Sequence, residues 1–169
     1  VSAILKETGQ AKDWTMTDTF YRDRGRAVHK ACELWIRQEL DEASLDPQIV
    51  PYVDQFKEWL KGQPMAAGLL LTEAPLYSKT MGFAGSIDLV MNQVIWDLKC
   101  SKKLDKASEW QYRLQGAGYR TLIGENFQKD FPFKILLLTG EGPAKAGEMD
   151  SPHEAWEHVM GLYRLKKCG

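Results

Sequence analysis

One stretch, residues 85–99, reading GSIDLVMNQVIWDLK, constrains this chain more than any other. Its two apolar halves flank Asn92-Gln93, and asparagine tolerates the left-handed backbone that a two-residue hairpin turn uses. With that turn, Met91 faces Val94, Val90 faces Ile95, and Asp88 lies opposite Asp97. A symmetric four-residue loop gives the same pairing. Side chains alternate faces along a strand, so Lys99 joins Asp97 on its face. Opposed residues of an antiparallel pair hold their Cβ atoms about 4.5–5.5 Å apart. Two bare carboxylates at that spacing repel, and something positive belongs between them. Lys99 alone meets the need as a buried ion pair; a divalent cation, which takes oxygen ligands, meets it as well.

Around this hairpin the pattern of apolar residues changes period twice. From 18 to 42, Val28, Ala31, Cys32, Trp35, Ile36 and Leu40 recur at helical spacing. A second helix follows Pro47, with Val50, Val53, Phe56, Trp59 and Leu60 on its buried side and Gly62 and Pro64 ending it. Residues 65–76 and 83–90 read as strands joined by a turn over 78–82, and 94–100 as a third. A helix over 105–122, closed by Gly124, precedes an apolar strand over 131–139, and 140–147 reads as a loop or ragged edge. Ser151-Pro152-His153-Glu154 carries an N-cap serine, a first-turn proline and a capping-box glutamate, so a last helix is expected there. This order predicts an α/β protein: a mixed β-sheet flanked by helices on both faces. No repeat or linker divides the 169 residues, so one domain over 1–169 is expected.

Charge and cysteine usage narrow the functional classes. Twenty-two basic residues against 23 acidic ones give a net charge of −1, which argues against a large nonspecific nucleic-acid-coating surface. A local patch suffices to hold a strand, and Lys99, Lys102, Lys103 and Lys106 supply a candidate, with a solvated loop as the plainer account of the last three. The three cysteines, Cys32, Cys100 and Cys168, show no metal-ligand spacing and read as reduced thiols of a cytoplasmic protein. No signal-peptide pattern opens the chain, which begins at Val1, and no apolar stretch is long enough to cross a membrane.

The spacing Gly85-x-x-Asp88, a short gap, then Asp97-x-Lys99 resembles the core of the PD-(D/E)XK nucleases. Two further motifs resemble the RecB-like exonuclease branch. Arg24-Gly25-Arg26-Ala27-Val28-His29 is similar to its glycine-then-histidine helix, and Gln115-Gly116-Ala117-Gly118-Tyr119 to its Gln-x-x-x-Tyr helix. Glu73, in the strand before Asp88, stands where relatives often carry a supporting acid. Taken without the resemblance, His29 and the Gln115 helix read as ordinary packing. The likeness spans residues 20 to 125 and is strongest to compact phage-type exonucleases and CRISPR-associated RecB-like nucleases.

The resemblance implies a restriction-endonuclease-like fold and hydrolysis of DNA, from single-stranded or otherwise free ends, in recombination, repair or phage DNA processing. It implies Mg²⁺ or Mn²⁺ held by His29, Asp88, Asp97 and the Leu98 carbonyl. Lys99 then orients or activates water, and Gln115 and Tyr119 contact the strand or brace the site. Many of the CRISPR-associated relatives hold an iron–sulfur cluster on four cysteines; with three, this chain is expected to hold none. A structure-specific endonuclease on the same fold, or a non-catalytic DNA-binding or assembly module, are the alternatives. The sequence leaves oligomeric state open. Gly116 and Gly118 each cost the helix about 1 kcal/mol relative to alanine, and a close approach to the sheet or to a DNA backbone accounts for them.

Overall fold

The computed structural model of the protein describes residues 1–11, 19–64, 70–104 and 106–168. Asn92 and Gln93 both take positive φ, 53° and 61°, the combination a type I′ turn requires. They close β2 (Phe83–Met91) onto β3 (Val94–Cys100) with Val90 against Ile95 and Met91 against Val94, the register the residues predict. β1 (Leu71–Ser78) pairs antiparallel with β2. β3 runs parallel to β4 (Phe133–Leu138), which pairs antiparallel with β5 (Lys145–Glu148). The sheet is therefore five-stranded and mixed, in the order β1-β2-β3-β4-β5.

Helices cover both faces, as the alternation of apolar periods leads one to expect. α1 (Ser2–Glu7), α4 (Glu109–Phe127) and α5 (His153–Cys168) bury Leu5, Leu114, Leu122, Ile123 and Trp156 against Ile95, Phe133 and Ile135 on one face. α2 (Thr19–Ile36) and α3 (Val50–Lys61) bury Val28, Cys32, Val53 and Phe56 against Trp96, Leu98, Leu136 and Leu138 on the other. α4 is the crossover between the parallel strands β3 and β4, and Gln115 on its inner side reaches Asp97 and Lys99 of β3. Among the described residues no helix is long and apolar enough to cross a membrane.

Several element boundaries differ from expectation. The expected starts of the first helix at Asp18, the first strand at Met65 and the central helix at Asp105 lie outside the described residues. α2 stops at Ile36 instead of running to Glu42. Gln38 takes a left-handed φ of 61°, and Gln38 and Glu39 donate back to Trp35 and Leu34, which closes the helix without a glycine. Gly124 does not end α4, which continues to Phe127 and is closed by left-handed Gln128. The stretch 140–147, expected to be a loop or ragged edge, overlaps the outer strand β5 (Lys145–Glu148). The capping box does not form: Ser151 Oγ donates to the Met149 carbonyl, and α5 begins at His153. α1 was not expected at all.

Alternation fails at one level of the sheet, and the failure positions the site. Along β2, Phe83 and Ile87 join the α4–α5 core, yet beyond Asp88 it is Val90 that does so while Leu89 and Met91 turn to the α2–α3 core. β1 slips in step, because Leu71 and Leu76, an odd number of residues apart, pack on the same core. The level of the slip is Glu73 opposite Asp88, the one gap in an otherwise continuous β1–β2 pairing from Leu71↔Val90 to Ser78↔Phe83. Glu73 carries a φ of 44° there, in the left-handed region that side-chain-bearing residues avoid.

The two α4 glycines are explained by contact with protein. A Cβ on Gly116 would lie 2.4 Å from Phe133 Cδ1 and 2.5 Å from Ser151 Oγ; one on Gly118 would lie 3.2 Å from the Trp156 ring. Gly161, in α5, has nothing within 4 Å of such a Cβ. Gly116→Ala should lower unfolding stability by about 1–3 kcal/mol through overpacking, while Gly161→Ala should raise it by about 0.5–1 kcal/mol. Urea unfolding of the two variants checks the contrast, and equal effects would contradict it.

Candidate metal and active site

Asp97 and Lys99 project from β3 toward α4, where a helical stripe meets them. Gln115 and Tyr119, four residues apart, share one face of α4. Gln115 Nε2 donates to Asp97 Oδ1 at 3.0 Å and to Tyr119 Oη at 2.9 Å, while its Oε1 accepts from Lys99 Nζ at 3.2 Å. One amide therefore ties the acid, the amine and the phenol together. Lys99 Nζ also stands 2.7 Å from Asp97 Oδ2, an ion pair whose approach is not aligned for a hydrogen bond, so that buried oxygen has no aligned donor. Gly85 makes room for this packing, since a Cβ there would meet Leu122 at 3.2 Å and Tyr119 at 3.4 Å.

Asp88 does not stand in a regular pair with Asp97. The β2–β3 bridges end at Leu89↔Trp96, one step short, and Asp88 Oδ2 accepts the Leu98 N–H at 2.7 Å in place of a backbone carbonyl. The carboxylate thereby lies within the sheet, between strands, at the level of the slip. On the α2 side His29 closes over it. His29 Nε2 is 2.9 Å from the Leu98 carbonyl, and Nδ1 is 3.4 Å from Glu73 Oε1 and 3.5 Å from Asp88 Oδ1. Glu73 reaches this position through its left-handed backbone.

Electrostatics separate the two aspartates. Burial favours protonated Asp88, but His29, Lys99 and the Leu98 N–H outweigh it and hold its pKa below the usual carboxylate range. Burial of Asp97, reinforced by the Asp88 charge and opposed by Lys99, pushes its pKa up to about 6. Desolvation works against charge on His29 and Lys99, yet the neighbouring carboxylates raise both above their ordinary values. Lys99 is thus an ammonium at neutral pH, suited to orienting and stabilising negative charge and not to removing a proton. Burial, with the two aspartates, keeps Tyr119 a neutral phenol.

These donors suit a hard divalent cation. His29, Glu73 and Asp88 each offer a ligand atom within 4.8 Å of the others, and the Leu98 carbonyl lies 2.9 Å from His29 Nε2. Oxygen-rich sets of this kind match Mg²⁺ and Mn²⁺. Of the ligands the resemblance implies, His29, Asp88 and Leu98 come together. Asp97 instead lies with Lys99 and Gln115, and Glu73 completes the compact cluster.

All of them, with Tyr119, line one cleft of about 870 Å³. Lys102 and Lys103 stand on its rim; Lys106, the fourth lysine of the expected patch, and Gln111 do not line it. Tyr21 and Tyr112 also line it; Tyr21 and Trp110 are exposed, while Tyr112 packs half-buried against the α4–α5 core. Arg24 and Tyr52 had no functional reading in the sequence, although Arg24 stands three and four residues after Tyr21 and Phe20.

No family model matches this chain, and no curated protein matches it. Among solved structures, the crystal structure of a protein from Eubacterium rectale called a "putative exonuclease" is similar with a TM-score of 0.56 at 15% identity, covering 97% of this chain and 70% of that one. At that identity the likeness is one of fold.

Glu73 allows a direct measure of backbone strain in the site. Glu73→Ala and Glu73→Gly both remove the carboxylate, but only glycine accepts φ 44° without cost. The glycine variant should be the more stable of the two by about 1 kcal/mol in urea unfolding. Equal stabilities would show that the left-handed backbone is unstrained.

Proposed function

We propose that this chain is a metal-dependent deoxyribonuclease of the PD-(D/E)XK type, acting as an exonuclease on single-stranded ends. The observation that carries the reading is the meeting, in one cleft, of a His29–Glu73–Asp88 cluster with a Lys99–Asp97–Gln115 network. The fold shared with a protein called an exonuclease adds weight. His29, Glu73, Asp88, Asp97 and the Leu98 carbonyl are the proposed holders of Mg²⁺ or Mn²⁺. Such an ion supplies charge for the phosphate in the transition state and lowers the pKa of water.

The protein's own groups do the rest. Lys99, held cationic by Asp97 and Asp88, orients the attacking water and stabilises charge developing on the phosphate. Gln115 fixes both partners of the ion pair, so Lys99 is presented in one position. Tyr119 stands behind Gln115 as a neutral hydrogen-bonding brace.

Cleavage of end-labelled linear and circular single-stranded DNA with Mg²⁺, Mn²⁺ or EDTA tests the proposal. Loss of linear DNA with metal, circles spared, is the expected outcome; cut circles would indicate an endonuclease, and no cleavage under any metal would overturn the reading. Lys99→Ala should reduce the rate by about 100-fold or more. Asp88→Asn and Glu73→Ala should each weaken Mn²⁺ binding, read by calorimetry, by about 10-fold or more. Unchanged affinity in both would remove the proposed ligand set.

A further inference from the structure

The α2 wall of the cleft contains a cation that the site described above does not use. Arg24 stands with its guanidinium carbon 4.8 Å from the Tyr52 ring, 5.2 Å from Tyr21 and 5.9 Å from Phe20. Its Nε is buried with no hydrogen-bond partner, and Arg24 lines the same cleft as Lys99. Among the described residues it forms no ion pair, although four acids line that cleft. The other arginines of α2 differ: Arg22 and Arg26 lie against Asp23, and Arg37, just past its end, lies against Glu33.

The cage has a fixed side and an open one. Tyr52 belongs to α3 and is buried in the core, so it anchors the guanidinium from behind. Phe20 and Tyr21 are 54% and 57% exposed and pack edge to face, 5.5 Å between centroids. Large aromatic rings at such exposure, next to a cation without a counter-charge, form the combination that takes a phosphate and an adjacent unpaired base. Arg24, Lys102 and Lys103 line the same cleft as Glu73, Asp88 and Asp97, so cations border its acidic groups.

We propose that Arg24, held by its aromatic cage, is a backbone clamp for a single DNA strand in this cleft, and that Tyr21 stacks on a base of that strand. The proposal rests on the nuclease reading of the cleft and names how that site takes its substrate. A duplex keeps its bases stacked on one another and offers Tyr21 no free face. The strand is therefore selected as single by stacking and positioned by charge; both groups are positioning residues, remote from the bond that breaks.

Binding in EDTA separates this from the chemistry. The probes are a labelled oligo(dT) of about 12 nucleotides, an abasic strand of the same length, and a duplex. Wild type should bind oligo(dT) more tightly than duplex. Arg24→Gln should weaken oligo(dT) and abasic strands alike and flatten the dependence of log affinity on log salt by about 0.7, one single-strand phosphate contact. Arg24→Lys should restore that slope. Tyr21→Ala should weaken oligo(dT) by about 5- to 100-fold and leave the abasic strand unchanged. If wild type cleaves DNA with metal yet both variants bind like wild type, the clamp is wrong and the nuclease reading stands. If Arg24→Gln loses affinity with no change in salt slope, Arg24 acts through folding alone and the clamp is again wrong. If wild type neither binds nor cleaves, both fall.

Discussion

Putting carboxylates inside a sheet requires their charge to be met from every side, and much of this structure follows from meeting it. Asp97 is 1% exposed, and the Asp88 side chain, set between strands, 10%. Removing an ion from water costs several kcal/mol even after relaxation. The compensating groups come from separate parts of the chain: Lys99 from the neighbouring position on β3, Gln115 from the crossover helix, the Leu98 amide across the hairpin, and His29 from α2 on the far face. A fold that misplaced any of these elements would leave a buried charge unpaired. The two acids are also pushed in opposite directions, one toward ionisation by a crowd of donors and the other toward protonation by burial. Divergent environments of this kind are what separates roles between chemically identical groups.

What the residues disclosed in advance is what depends on local rules. The Asn92-Gln93 turn sets the hairpin register because both positions must be left-handed, and residues tolerating that conformation are few. Gln115 and Tyr119 could be paired because helix spacing alone puts them on one face. The simple alternation that brought Asp88 opposite Asp97 was incomplete, since β1 and β2 reverse facing together at Glu73 and Asp88. The run Leu89-Val90-Met91, apolar on both faces, carries a trace of that reversal. The left-handed backbone of Glu73 had no local signal, because neither glycine nor asparagine marks it. β5 was illegible for the opposite reason: Lys-Ala-Gly-Glu is exposed throughout and has no apolar face to betray it. The capping box at Ser151 does not form because α5 starts at His153, which places Pro152 at the cap and Ser151 one residue before it.

Charge is distributed in a way that bulk composition conceals. The chain is nearly neutral, yet arginines of α2 and the lysines after β3 border a cleft whose floor is acidic. Cationic walls draw a polyanion in, while an acidic floor repels it unless a positive group intervenes. The aromatic cage around Arg24 belongs to the same economy, for it holds a cation in place without supplying a carboxylate that would compete with phosphate.

The position of Glu73 at the sheet's margin has a mechanical consequence. β1 is the outermost described strand, so the kink at Glu73 disturbs hydrogen bonding on its β2 side only. β3, by contrast, lies inside the sheet, bridged to β2 as far as Trp96 and to β4 through Asp97 and Lys99 to Cys100, so the strand carrying Asp97 and Lys99 is held more firmly. The cluster therefore pairs a stiff half with a compliant one, and in the proposed reading adjustment to ions of different radius would fall on Glu73, where β1–β2 pairing is already interrupted.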